Sequence, residues 1–151
     1  MKKPLVIFTQ LFSLVFWAVL GWLILTKCTG CASVPSAAGM PTPQDTNGHA
    51  VKFARDYAEQ RPGSEILFGK GVSMQPFLTS GMAVVVAPAP YSTLRRGDPV
   101  VYRRKNGLLV CHVITGWCLR GYIVQGLNNE KWDAECVTPQ NYIGVLVAAF
   151  K

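Results

Sequence analysis

The run Pro99-Val100-Val101-Tyr102-Arg103-Arg104-Lys105-Asn106-Gly107-Leu108-Leu109-Val110-Cys111-His112-Val113-Ile114-Thr115 reads as two β-strands joined by a tight turn. Both flanks carry β-branched and aromatic side chains, which suit a pleated and half-buried surface. Asn106-Gly107 between them predicts a two-residue type I′ turn, because both central residues of that turn need positive φ. Alternation along 108–115 places His112 on the face shared with Leu108, Val110 and Ile114, with Cys111 and Val113 on the other. An imidazole on such an apolar strand needs a polar partner.

Working outward, the same texture of short apolar runs separated by turn residues continues from residue 65 to the end. Strands are expected over 66–70, 82–87, 99–103, 108–115, 122–125 and 142–149, with a second turn at Cys118-Leu119-Arg120-Gly121. This is a mostly β domain. Before it, residues 49–61 predict a short helix, with Val51, Ala54 and Ala58 at helical spacing and Pro62-Gly63 ending it. Residues 28–48 are rich in Ser, Thr, Ala, Gly and Pro, with Pro35, Pro41 and Pro43 obstructing helix and sheet alike, and they read as a tether.

Residues 4–26 contain no charged side chain and are almost wholly apolar. At ~1.5 Å per residue this run reaches roughly 35 Å, enough to cross a ~30 Å hydrocarbon core. Lys2 and Lys3 precede it and only Lys27 closes it, which favours a cytoplasmic N-terminus and everything downstream on the far side. The competing reading is a cleavable signal peptide, given the small residues at Cys31-Ala32-Ser33 and Ser36-Ala37-Ala38, but the run exceeds the 7–15 residues of an ordinary h-region. Cys31 after Thr29-Gly30 also allows a lipoprotein cysteine, against which Cys28 stands where a branched apolar residue belongs. The organisation expected is an anchor over 1–27, a linker with a short helix over 28–64 and a β-rich domain over 65–151. A length of 151 residues suits one compact domain plus a tether, and a second catalytic domain is not expected.

The formal charge of +7 falls to +4 once Lys2, Lys3 and Lys27 are set aside. The clusters Arg95-Arg96 and Arg103-Arg104-Lys105 lack interleaved aromatics, so they read as solvated or lipid-facing surface and not as a nucleic-acid site. Cys28-Thr29-Gly30-Cys31 lacks the second ligand pair of a zinc site, and neither metal nor cofactor is expected. Cys111 and Cys118 admit two readings, a bridge across a hairpin in an oxidising compartment or a buried pair of thiols.

The residues able to do chemistry are few. Gly71-Val72-Ser73-Met74-Gln75-Pro76 presents a serine between a strand and a turn, where Gly71 permits close approach of a substrate backbone and Pro76 holds the turn. A serine hydroxyl needs a base to become a nucleophile near neutral pH. His49 lies in the helix or linker, which leaves His112. Downstream, Gly126-Leu127-Asn128-Asn129-Glu130-Lys131-Trp132-Asp133 offers carboxylates to the second imidazole nitrogen, and Asp133 is the natural candidate.

Ser73 in its Gly71 to Pro76 box, then Arg96-Gly97-Asp98-Pro99-Val100-Val101-Tyr102, His112, Gly126 with Asn128-Asn129, and Asp133 come in an order that resembles the type I signal peptidase family, over about residues 65–149. Histidine at the base position is similar to the endoplasmic-reticulum and archaeal kind, where bacterial-type enzymes have lysine. The resemblance implies an antiparallel β-sheet catalytic domain behind one N-terminal transmembrane helix. It further implies Ser73 as nucleophile, His112 as base, Asp133 orienting the imidazole, and an oxyanion hole at Ser73 and Gly71, where Gly71 lacks the hydroxyl of some relatives. An extended substrate would add beside a strand, with small residues before the cut held by Phe68, Met74, Leu78 and Val110; core packing is the other reading of each.

Two positions depart from that pattern. Leu127 stands where an acid is common, and Gly81-Met82 where Gly-Asp is frequent. The expectation is therefore a single-pass membrane serine endopeptidase with an extracytoplasmic catalytic domain, acting on preproteins or signal peptides after small residues. Its partners would be that substrate and membrane lipid, with no nucleic acid. The alternative is a catalytically weak or inactive relative that binds extended peptides at the membrane.

Overall fold

The computed structural model describes residues 36–151. In chain order it contains α1 (Ala50–Glu59), β1 (Glu65–Phe68), β2 (Ala83–Ala87), a 3₁₀ turn (Tyr91–Thr93), β3 (Pro99–Arg103), β4 (Leu109–Cys118), β5 (Gly121–Gln125) and β6 (Tyr142–Phe150). The strands form one sheet in the spatial order β1-β2-β6-β3-β4-β5, and every pairing is antiparallel. The domain is mostly β, as its alternating runs require. The apolar run 4–26, with the anchor expected over 1–27 and Cys28 and Cys31, lies outside the described residues. Among the described residues no helix is long and apolar enough to cross a membrane.

β4 is the strand from which both sides of the sheet can be read. Cys111 and Val113 join Met74, Leu78, Met82, Val84, Leu146 and Ala149 on one side. Val110 and Ile114 join Leu94, Val100, Tyr102, Val124 and Val137 on the other. A third cluster, of Ala54 with Ala83, Val85, Ala148 and Phe150, seats α1 on the sheet. Burying each large apolar side chain contributes roughly 1.5–3 kcal/mol, so β4 is pinned from both faces and its register cannot slip by one residue without exposing a whole row. His112 therefore takes the side foreseen from alternation, at the pair with Val100.

Four local expectations are corrected. Asn106-Gly107 is not a two-residue type I′ turn: Gly107 has φ 85, but Asn106 is not among the residues with positive φ. The Gly107 amide donates to the Arg104 carbonyl at 2.8 Å and the Arg104 amide to Leu108 at 2.9 Å, which makes a three-residue loop with Gly107 at its left-handed position. That loop leaves Leu108 outside β4 and exposed. On α1, Val51 is exposed, and the inward row is instead Ala50, Ala54, Tyr57 and Ala58.

The expected tether does not stay apart from the domain at its end. Gln44 bridges Phe150 in parallel, the Thr46 amide donates to the Lys151 carbonyl at 2.9 Å, and Thr46 is buried. The fourth correction concerns the cysteines. β4 continues through Cys118, so Cys111 and Cys118 lie on one strand seven residues apart, roughly 23 Å of extended chain, and cannot face each other across a hairpin.

Candidate active site

Ser73 follows β1 in the loop that leads to β2, and the 126–129 segment after β5 holds it there. The Asn128 amide donates to the Ser73 carbonyl at 2.8 Å, and Asn128 Nδ2 donates to the Val72 carbonyl at 3.1 Å. Gly126 permits this approach, since a Cβ there would lie 2.6 Å from the Ser73 carbonyl oxygen. On the other flank Met74 and Leu78 are sunk in the core, and the Gln75–Pro76 peptide is cis. The loop is thus tied on both sides of the serine while Ser73 itself remains partly exposed.

The His112 ring, 2% exposed, lies between Ser73 and Asp133. Its Nε2 is 3.1 Å from Ser73 Oγ, and its Nδ1 is 2.8 Å from Asp133 Oδ2. Asp133 is brought into place because its amide donates to the Val124 carbonyl of β5 at 2.9 Å. The same carboxylate oxygen accepts from Arg104 Nη2 at 2.8 Å and from the Tyr102 hydroxyl. Three donors thus converge on one oxygen.

Burial alone would push the Asp133 carboxyl up. Hydrogen bonds from His112, Tyr102 and Arg104 outweigh it and hold the group down at about 2. The carboxylate is consequently ionised at any physiological pH and can only accept, which assigns the proton to Nδ1 and leaves the Nε2 lone pair facing the Ser73 hydroxyl. Tyr102 is raised, first by burial and then by the neighbouring Asp133, so it stays a neutral donor. This arrangement can accept a proton from Ser73 and stabilise the resulting imidazolium with a fixed negative charge.

Ser73, His112 and Asp133, three positions spread over 60 residues, come together as expected. The remaining expected positions divide. The Gly71 amide donates to Ser80 Oγ at 3.0 Å, so it is already engaged and does not serve an oxyanion hole as it stands. The Ser73 amide has no hydrogen-bond partner among the described residues. Phe68, at the end of β1, is 61% exposed and open to a ligand, whereas Met74 and Leu78 are core residues and not groove walls. Val110 is half-buried against the Tyr102 cluster.

Three site residues lay outside the sequence-based set. Tyr102 read as a strand residue, Arg104 as part of a solvated basic cluster, and Asn128 as a motif position without a role. Arg104 is in fact two-thirds covered, its guanidinium spent on Asp133. Both departures from the family pattern also acquire a place, because Leu127 packs against the core cluster beneath Ser73 and Met82 is a member of it.

Two surface depressions, of about 590 and 490 Å³, adjoin this network on its outer side and share Arg104 and Glu135. They flank the Asp133 segment, and Ser73 lines neither. Comparison of the chain with protein-family models, with curated proteins and with solved structures gives no match.

Proposed function

We propose that this protein is a membrane-anchored serine endopeptidase of the type I signal peptidase kind, cutting preproteins or a dedicated secreted substrate after small residues. The observation that carries the reading is the continuous relay from Ser73 Oγ through the His112 ring to Asp133, with contacts of 3.1 and 2.8 Å. Such a relay has a direct chemical use. Ser73 attacks the scissile carbonyl as Nε2 takes its proton, and Asp133 stabilises the imidazolium that forms. Nε2 then returns the proton to the departing amine, and water repeats the sequence to release the acyl group.

The unpartnered Ser73 amide is placed to donate to the carbonyl oxygen as it acquires charge. β1 ends the sheet order and runs directly toward Ser73, so an extended substrate can pair with its outer edge. Exposed Phe68 on that strand offers the apolar contact. An open edge suits a peptide chain better than a closed pocket. The apolar run at 4–26 supports a single-pass anchor with this domain on the extracytoplasmic side.

The test is cleavage of a preprotein bearing small residues before its cut site, by the full chain in detergent or liposomes. Wild type is expected to produce one new N-terminus, and Ser73→Ala to be slower by ~10⁴-fold or more. Equal, slow cleavage by both would remove the peptidase reading. Tight binding of the uncut peptide by both would favour the non-catalytic peptide binder.

A further inference from the structure

Two thiols with no part in the proposed relay meet at the far end of β4. Cys118 is the last residue of that strand, Cys136 lies three residues beyond Asp133, and their Sγ atoms are 3.5 Å apart. Both are partly exposed. The chains carrying them are already fastened together: Tyr122 and Val137 exchange both backbone hydrogen bonds, at 2.9 and 2.8 Å, and Asn141 Nδ2 holds the Cys136 carbonyl at 3.1 Å. Gly121, which pairs with Cys118, lets the segments approach, because a Cβ there would lie 2.2 Å from the Val137 carbonyl oxygen.

Cys111 provides the contrast. It is packed against the core cluster of Met74, Leu78 and Val113, and burial pushes its thiol up to about 12, so it stays protonated and inert.

We infer that Cys118 and Cys136 are a disulfide site, closed by exchange with a disulfide-bearing oxidant, and that the bond clamps the segment carrying Asp133 to the β4–β5 hairpin. A disulfide requires Sγ atoms at ~2.05 Å, so closing the gap takes a shift of roughly 1.5 Å, within reach of side-chain rotation on two fastened chains. Burial raises the Cys118 thiol, but the Arg120 and Gly121 amides and the Cys136 thiol together bring it below the ordinary value, which makes Cys118 the attacking thiolate. Cys118 displaces one sulfur of the oxidant and forms a mixed disulfide. Cys136 then attacks Cys118 Sγ and expels the second sulfur; the two thiols lose two protons and two electrons, and the oxidant leaves as two thiols. The site does not depend on the peptidase reading.

The experiment uses the full chain in detergent, exposed to oxidised glutathione, alkylated under denaturing conditions, digested with trypsin and weighed with and without reduction. The expected product joins the peptide 106–120 to the peptide 132–151, two hydrogens lighter than their sum, with the alkyl label on Cys111 located by fragmentation. The oxidised protein should also melt at least ~5 °C above the reduced protein, and this gap should vanish in Cys118→Ser and Cys136→Ser. Should either variant fail to fold, wild type reduced and alkylated before melting supplies the comparison. Full labelling of both thiols after oxidation, a bond joining Cys118 to Cys111, or a disulfide only between molecules would each overturn the inference.

Discussion

Ser73 and Asp133 sit at opposite ends of one imidazole and are held in opposite ways. Ser73 is carried on a partly exposed loop, positioned through its backbone by Asn128 and through its neighbours Met74 and Leu78, and among the described residues His112 alone hydrogen-bonds its hydroxyl. Asp133 is 5% exposed at its side chain, and three donors converge on one of its oxygens. On the proposed reaction the hydroxyl would be reached by a substrate and covalently modified, a role that an enclosed serine could not fill. In the same proposal the carboxylate would serve only as a fixed acceptor, a role that enclosure does not impair. Stability and chemistry should therefore separate at the serine end and coincide at the aspartate end.

The largest effect expected from that contrast is on turnover. Asp133→Asn should lower kcat by about 10⁴-fold, because an amide can donate to Nδ1 and favour the wrong tautomer. It should also destabilise the fold, since Arg104 loses its counter-charge. Ser73→Ala should be equally damaging to turnover yet leave the denaturant midpoint within about 0.5 kcal/mol of wild type. Parallel kinetics and urea melts of the two variants check this. Equal destabilisation would erase the distinction.

Acid titration sharpens the same contrast. The folded Asp133 carboxyl titrates at about 2, below its ordinary value near ~3.9, so its contribution is present above pH ~4 and is lost as pH falls toward 2. Wild type should lose about 2 kcal/mol across that window through this group alone, a loss that Asp133→Asn lacks. Urea unfolding free energies at pH 5, 4, 3 and 2 for both proteins measure it.

Smaller effects should follow from the supporting residues. Tyr102→Phe removes one of the donors to Asp133 from a fully buried site, and should cost ~1–2 kcal/mol of stability with a modest fall in kcat. Asn128→Ala acts at the other end. It should lower kcat by roughly tenfold through a less well placed Ser73, with stability changed by no more than ~1 kcal/mol because Asn128 is exposed. A stability loss at Asn128 matching that at Tyr102 would show that the two ends are braced alike.

The chain's own pattern declared most of the sheet. β-Branched runs and turn residues located all six strands, and β3 was bounded at Pro99 and Arg103 as found. The apolar run marks β4 only as far as 115, whereas the strand continues to Cys118, with the register shift between Ile114 and Gly116 absorbed as an irregularity within it. The site was legible where residue type limits the options: one serine in a distinctive box, one histidine on a strand, and a short downstream segment holding Glu130 and Asp133.

What the linear order could not convey is which side chains converge on Asp133. Tyr102 and Arg104 lie 31 and 29 residues from it, and only the β3–β4–β5 pairing together with the Asp133–Val124 hydrogen bond brings them to one oxygen. Periodicity is a local property, so the sequence by itself determined strand identity, the side of the sheet that His112 occupies, and the residue types available for chemistry. Tertiary structure alone decided that an arginine from an apparently solvated cluster would be buried against a carboxylate, and that Cys118 would face Cys136, because such contacts depend on register and curvature summed over several strands.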